Sequence, residues 1–123
     1  MRRILGIWVL IVYMTIPLAA KSARNQARKM TGVASYYGRE HQSRRMANGH
    51  RFNEHKLTAA SHTLPLGSRA RVTNLKNRKS VVVTITDRMP KRNRRIIDLS
   101  ASAAHALGLI RRGTGRVSVE PSH

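Results

Sequence analysis

Apolar residues fall along this chain in three patterns, and each predicts a different kind of element. From Ile4 to Leu18 they form an almost unbroken run behind Arg2-Arg3. From Gly32 onward they come in short segments separated by turn residues: Gly32 to Tyr37, a loop containing Asn48-Gly49, Leu57 to Ala60, Ser68 to Asn74, and Ser80 to Thr86. Short β-branched runs bounded by Gly, Asn and Pro predict β-strands, and 80–86, rich in Val, Ile and Thr, is the strongest. Arg69–Thr73 and Val81–Thr86 flank a polar link and predict a hairpin with Asn77-Arg78 at its tip. Ala70 and Val72 face one side of it, Arg71 and Thr73 the other. The third pattern is the Ala-rich stretch Ala101 to Leu107, which follows Ile96-Ile97-Asp98-Leu99-Ser100 and stops at Gly108. It predicts a strand ending on an N-cap at Ser100, then one short helix. Arg116-Val117-Ser118-Val119-Glu120 alternates again and predicts a closing strand before Pro121. About six or seven short strands with one helix suit a small closed barrel better than a sandwich, because closure leaves no free edge and a short helix can plug an opening.

The first pattern predicts a secretory signal peptide over residues 1–20. Its apolar run is roughly 15 residues, short of the roughly 20 that span a bilayer, and it ends in Ala19-Ala20. An uncleaved anchor is the alternative, and it is the only route to a membrane that the sequence offers. Residues 21–30 are polar and basic, with Arg24, Arg28 and Lys29, and predict a tether. Residues 31–119 then make one small domain, since the remaining length suits a single core. The chain has no cysteine, so neither a disulfide nor a lipidated N-terminal cysteine is available. The expectation is an exported monomer of the periplasm or cell envelope that carries no lipid.

Charge narrows the partners. The 24 Lys+Arg stand against five Asp+Glu, for a formal net charge of +19, and such a field draws in polyanions. Export argues against nucleic acid, and so does the lack of a basic stripe interleaved with aromatics. That leaves anionic lipid or an acidic cell wall. No metal site and no cofactor are expected, because the six histidines show no His-Glu-X-X-His spacing and thiolate ligands are missing. Chemistry that needs a carboxyl group has five candidates: Glu40, Glu54, Asp87, Asp98 and Glu120. Glu40 and Glu54 lie in basic loops and predict exposed ion pairs of small worth. Asp98 reads as a cap for the Ala-rich helix, and Glu120 is near the terminus. Asp87 stands at the end of the strongest strand, before Arg88-Met89-Pro90, where it serves either as a turn-capping residue or as a catalyst.

Specific words in the sequence go further. Gly32-Val33-Ala34-Ser35-Tyr36-Tyr37-Gly38, Ala47-Asn48-Gly49, Leu57-Thr58-Ala59-Ala60, Thr63-Leu64-Pro65-Leu66-Gly67-Ser68, Val72-Thr73-Asn74-Leu75, Asp87-Arg88 and Ile96-Ile97-Asp98-Leu99-Ser100 occur in that order. The ordered set closely resembles the rare lipoprotein A family of septal-ring lytic transglycosylases, across residues 31 to 110. The resemblance implies a mainly β fold, a small six-stranded double-psi β-barrel with one or two short helices, as in expansins. It implies peptidoglycan glycan strands as substrate, cut between N-acetylmuramic acid and N-acetylglucosamine without water to leave a 1,6-anhydro end. Strands stripped of stem peptides are the implied preferred form, and division-site cell-wall machinery is an implied further partner.

This chemistry suits a chain with few acids. Glycoside hydrolysis uses two carboxyl groups, whereas a lytic transglycosylase lets the sugar's own C6 hydroxyl close on the anomeric carbon. One group that gives a proton and then accepts one suffices. Asp87 is the candidate for that role, with Tyr37, His50, Ser61 and Arg88 as substrate-binding candidates. Of the Tyr36-Tyr37 pair, alternation sends one ring to the core, and the other either lines the groove or is structural as well. Three positions depart from the family pattern: His50 replaces the usual Glu after Asn-Gly, Ser61 replaces the usual His after Ala-Ala, and Met89 replaces the Gly after Asp-Arg. His62 is no direct substitute at its place, since strand neighbours face opposite ways. The departures keep open an alternative, a catalytically weak or inactive barrel that binds cell-wall polysaccharide. Loss of glycine at Met89 predicts a change in the aim of Asp87.

Overall fold

The run densest in β-branched residues, Ser80–Asp87, is a full-length strand in the computed structural model, which describes residues 29–37, 41–90 and 94–122. The expected signal peptide, most of the tether, Glu40 and residues 91–93 lie outside the described residues. The strands are β1 (Met30–Tyr36), β2 (Thr58–Ala60), β3 (Arg69–Asn74), β4 (Ser80–Asp87), β5 (Arg95–Leu99) and β6 (Thr114–Ser122), with the helix α1 (Ala101–Ala106) between β5 and β6. They form a closed barrel in the order β1-β5-β2-β4-β3-β6. Two pairs, β1 with β5 and β2 with β4, are parallel, and the other pairings are antiparallel. This is the mainly β, six-stranded double-psi barrel that the sequence words imply.

The expected hairpin is β3–β4, paired from Arg69↔Thr84 to Thr73↔Ser80. Its tip turns through Arg78 at φ +66°, a left-handed conformation that a short turn forces on a non-glycine residue. Ala70 and Val72 are buried while Arg71 is exposed, as the alternation predicts. Ser100 caps α1, its Oγ accepting from Ala103 N at 3.2 Å, and Gly108 at φ +73° follows the helix end. The helix is short and presents Ala103 and Ala104 to the barrel, small residues that let its backbone approach the strands closely. With Leu107 they join a core of Val72, Val83, Ile85, Ile97, Leu99, Val117 and Val119. Each large side chain fully buried there contributes about 1.5–3 kcal/mol.

Several expectations change. β1 begins at Met30, two residues ahead of the expected Gly32 start and inside the expected tether. β6 runs through Pro121 to Ser122 rather than stopping before the proline. Its last partner on β1 is the pair Met30↔Val119, so Pro121 lies where only β3 flanks the strand, a one-sided position where a missing N–H is tolerated. Asp98 does not cap the helix: its Oδ1 accepts from Ser35 Oγ, and Arg95 Nη1 lies 3.7 Å from it. Met89 is buried, and among the described non-glycine residues only Ser43 and Arg78 have positive φ. The turn after Asp87 therefore needs no glycine.

Candidate functional site

Three segments converge on the C-terminal end of β4. Parallel pairing sets Ala60 of β2 opposite Asp87, and Ser61 N donates to the Asp87 carbonyl at 3.1 Å. The segment after β1 arrives through Tyr37 N, which donates to Leu99 O at 2.9 Å. The loop between Ser43 and Phe52 is tied to the strand end by Asn48 N donating to Thr86 O at 3.2 Å. Parallel strands bring their C-terminal ends together, so residues far apart in sequence meet here.

The Asp87 carboxylate is held by both oxygens. Oδ1 accepts from Ala47 N at 2.9 Å and Arg88 N at 2.8 Å, and Oδ2 accepts from the Tyr37 hydroxyl at 3.3 Å. Two backbone donors on one oxygen fix the carboxyl plane and leave the other oxygen facing the side chain of Tyr37. Asp87 opens onto a cleft of about 200 Å³ bordered by Tyr37, His41, Arg44, Arg45 and Phe52, and among the described residues it is the single carboxyl in that lining. The Tyr37 ring stands 5.0 Å from His41 and 5.0 Å from Phe52, edge-on to the latter, an arrangement aromatic quadrupoles favour. Burial pushes the Tyr37 phenol well above its ordinary value, and the negative charges of Asp87 and Asp98 and the bond to Asp87 add to that. The phenol stays protonated and keeps donating.

The remaining expected site residues are placed differently. Arg88 donates its N–H to Asp87, and its Nη1 bonds Ser61 O at 2.9 Å and Leu64 O at 2.6 Å. It clamps the turn after β2 against the end of β4. Ser61 is fully buried, its Oγ accepting from Thr63 N at 3.2 Å and Leu64 N at 3.0 Å, so its hydroxyl holds the same turn. His50 is exposed on the loop, its N–H donating to Asn48 Oδ1 at 3.0 Å. It lines an adjoining cleft of about 300 Å³ with Asn48, Arg51, Lys56 and Thr86, and Met46 borders both clefts. Tyr36 packs against the core and its hydroxyl reaches Ile110 O at 3.3 Å. Glu54 lies 3.7 Å from the exposed His55, in a third cleft that Tyr37 also borders.

Sequence reasoning missed Ala47 N, His41 and Phe52. A backbone donor leaves no mark in side-chain chemistry, although Ala47 precedes the Asn-Gly turn that aims it. Phe52 is the only phenylalanine in the chain, and its burial beneath Tyr37 follows from the loop's path. Among the described residues no group of three or more His, Cys, Asp or Glu side chains comes together to hold a metal.

Comparison with known proteins bears on the family and the fold. A family model described as lytic transglycolase matches residues 29–119. The chain is 54% identical over 89 residues to the probable endolytic peptidoglycan transglycosylase RlpA of Synechocystis, a match covering 72% of this chain and 28% of that protein. It is 48% identical over 92 residues to the endolytic peptidoglycan transglycosylase RlpA of Haemophilus influenzae, covering 75% and 32%. The match thus takes in no more than a third of the length of these relatives. Among solved structures, the Streptomyces papain inhibitor superposes with a TM-score of 0.61 at 24% identity, covering 77% of this chain and 94% of that one. At that identity the likeness is one of fold.

Proposed function

The chain belongs to the rare lipoprotein A family of peptidoglycan lytic transglycosylases, and from that premise we propose that it cleaves glycan strands with Asp87 as its acid and base. The observation that carries the reading is a carboxyl fixed at the end of β4 by Ala47 N, Arg88 N and the Tyr37 hydroxyl, in a cleft that offers no second acid among the described residues. A hydrolase cleft needs two carboxyl groups; this cleft fits a reaction that needs one.

Oδ1 is occupied by backbone donors, so Oδ2 carries the proton. It protonates the glycosidic oxygen between N-acetylmuramic acid and N-acetylglucosamine as the C1–O bond breaks. The C6 hydroxyl of the muramic acid residue then attacks C1 and returns its proton to Oδ2. A C6–O–C1 bond has formed, no water has been consumed, and Asp87 has recovered its starting state. The protonated Tyr37 hydroxyl steadies Oδ2 through both transfers, and the ring offers a face to a sugar. Arg88 and the buried Ser61 set the turn that frames the cleft, and His50 meets the glycan in the adjoining cleft. Export through residues 1–20 would deliver the protein, as a monomer, to peptidoglycan in the cell envelope and to the division-site machinery that works there.

The test is incubation of purified protein with amidase-treated sacculi, followed by mass spectrometry of the products. Anhydro-muramic ends from wild type and their loss in Asp87→Asn are expected. Their absence from wild type at high enzyme loading would falsify the reading. A second reading, a barrel that binds cell-wall polysaccharide without cutting it, is favoured by Ser61, whose buried hydroxyl is spent on the turn. It predicts sacculus pull-down that Asp87→Asn leaves unchanged, with no anhydro ends from either protein.

A further inference from the structure

The hairpin tip and the segment after α1 enclose a concavity of about 750 Å³, lined by Lys76, Arg111, Arg112 and Arg116 around Leu75 and Leu109. No acid is present among the described residues of the lining. Among the described residues the ion pairs are His55 with Glu54 and Arg95 with Asp98, so none of these four exposed cations is paired with a described carboxylate. The frame beneath them is rigid. Asn74 Nδ2 and Asn77 Nδ2 both donate to Leu107 O, at 2.8 and 3.0 Å. Leu75 N donates to Arg116 O at 3.1 Å, and Gly113 N to Leu109 O at 3.0 Å. A Cβ on Gly115 would strike Leu109 Cδ2, and one on Gly108 would come within 2.9 Å of Asn77 Nδ2. Like charges are thus held together on a fixed scaffold, which disfavours the free protein and is relieved by an anion.

We propose that this concavity is a docking site for an acidic, carboxylate-bearing peptide. Three of its four cations are arginines, whose planar forks match carboxylates two bonds at a time. The floor of Leu75 and Leu109 takes short aliphatic side chains between the carboxylates. The volume lies within the ~300–1,000 Å³ range of ligand pockets, large enough for a peptide of a few residues and far more than one ion needs. A concave site also withdraws its floor from a flat lipid surface. The site opens where β4 begins, and Asp87 ends that eight-residue strand, so the two lie roughly 20 Å apart at the usual rise per strand residue. Choosing the peptide rests on the family reading given above: the acidic peptides that such a protein meets are the stem peptides of peptidoglycan. Holding them here anchors the barrel to intact wall while the Asp87 cleft engages a bare strand.

Binding of full-length protein to intact sacculi and to amidase-treated sacculi, measured by sedimentation across a salt series, tests this. Wild type should bind intact sacculi more tightly than stripped ones, and rising salt should erase the difference. Arg111→Glu with Arg112→Glu should weaken binding to intact sacculi about tenfold, the scale of a few exposed ion pairs lost together, and leave binding to stripped sacculi unchanged. Arg111→Ala with Arg112→Ala should fall between. Arg69→Glu with Arg71→Glu, an equal charge change on the outer face of β3, should have little effect. Equal wild-type binding to both kinds of sacculi, or an equal loss in the β3 control, overturns the proposal. So does salt-sensitive binding to phosphatidylglycerol vesicles that the Arg111/Arg112 variants lose while keeping their grip on sacculi. Anhydro-end formation by the same proteins is scored separately, so a failure of catalysis and a failure of peptide docking give different results.

Discussion

The two ends of strand β4 handle charge in opposite ways. At Asp87 a single acid meets three donors and has both its oxygens engaged. Near Ser80, four cations ring a concavity with no acid among its described lining residues. A charge that the protein itself satisfies is held in one geometry, which serves chemistry. A cluster that the protein leaves unsatisfied stores repulsion that a partner can relieve, which serves recognition. The contrast predicts that substitutions at the first end change rate and those at the second change salt-dependent binding.

The largest effect should come from Asp87→Asn. The amide oxygen can still accept from Ala47 N and Arg88 N, so the fold should survive with its melting temperature little changed. Loss of the proton-transferring group should cut anhydro-end formation by about 10²–10⁴-fold. If the variant retains wild-type activity, the two ends do not differ as described. Next comes Arg88→Ala, which removes both bonds to the Ser61 and Leu64 carbonyls. Hydrogen bonds from a charged donor are worth about 1.5–3 kcal/mol, so urea unfolding should show a loss of about 2 kcal/mol. An unchanged midpoint would mean that the clamp carries no weight.

The barrel was largely legible because its signals are local. The density of β-branched residues in 80–86, the alternation of 69–73, and Ser100 before an Ala-rich run each report on their own neighbourhood, and closure follows from strand number and length. The last strand runs past its local signal because Pro121 normally ends strands, and nothing in its sequence surroundings says that β1 has already departed from that side. Asp98 differs from its local signal for the same reason: that signal is a helix start, while Ser35, its partner, lies 63 positions away in the chain. In the site, the strand-end position of Asp87 was legible and its donors were not, since a backbone N–H from position 47 has no residue type. Ser61 and His50 show the limit of polarity as a guide. One polar side chain is fully buried on a turn, and the other, next to the Asn-Gly turn, lines the neighbouring cleft.

Tyr37→Phe sharpens the contrast at the acidic end. It keeps the ring that packs on Phe52 and removes only the hydroxyl on Oδ2, so a rate loss of about tenfold is expected, the worth of roughly one hydrogen bond. A pH test accompanies it. The Tyr37 phenol is raised in the folded protein above its ordinary 10.0, so its contribution to stability is complete below pH 10 and is lost as pH climbs beyond that. Urea midpoints at pH 9 and pH 11 should therefore fall more for wild type than for Tyr37→Phe. Equal falls would show that the phenol is not held in its protonated form by the fold.

The smallest expected effect probes the basic end without touching its charges. Gly115→Ala places a methyl group against Leu109 Cδ2, and Leu109 is both buried and part of the floor beneath Arg111 and Arg112. Overpacking of a well-filled site costs about 1–3 kcal/mol. The low end is expected here, because the atom struck is the tip of a side chain with some room to rotate. Moving Leu109 tilts the segment that carries both arginines, so binding to intact sacculi should weaken a few-fold while Asp87 chemistry on stripped strands holds. A loss of both together, at a protein concentration where unfolding is excluded by circular dichroism, would mean that the two ends of β4 are mechanically coupled through the barrel.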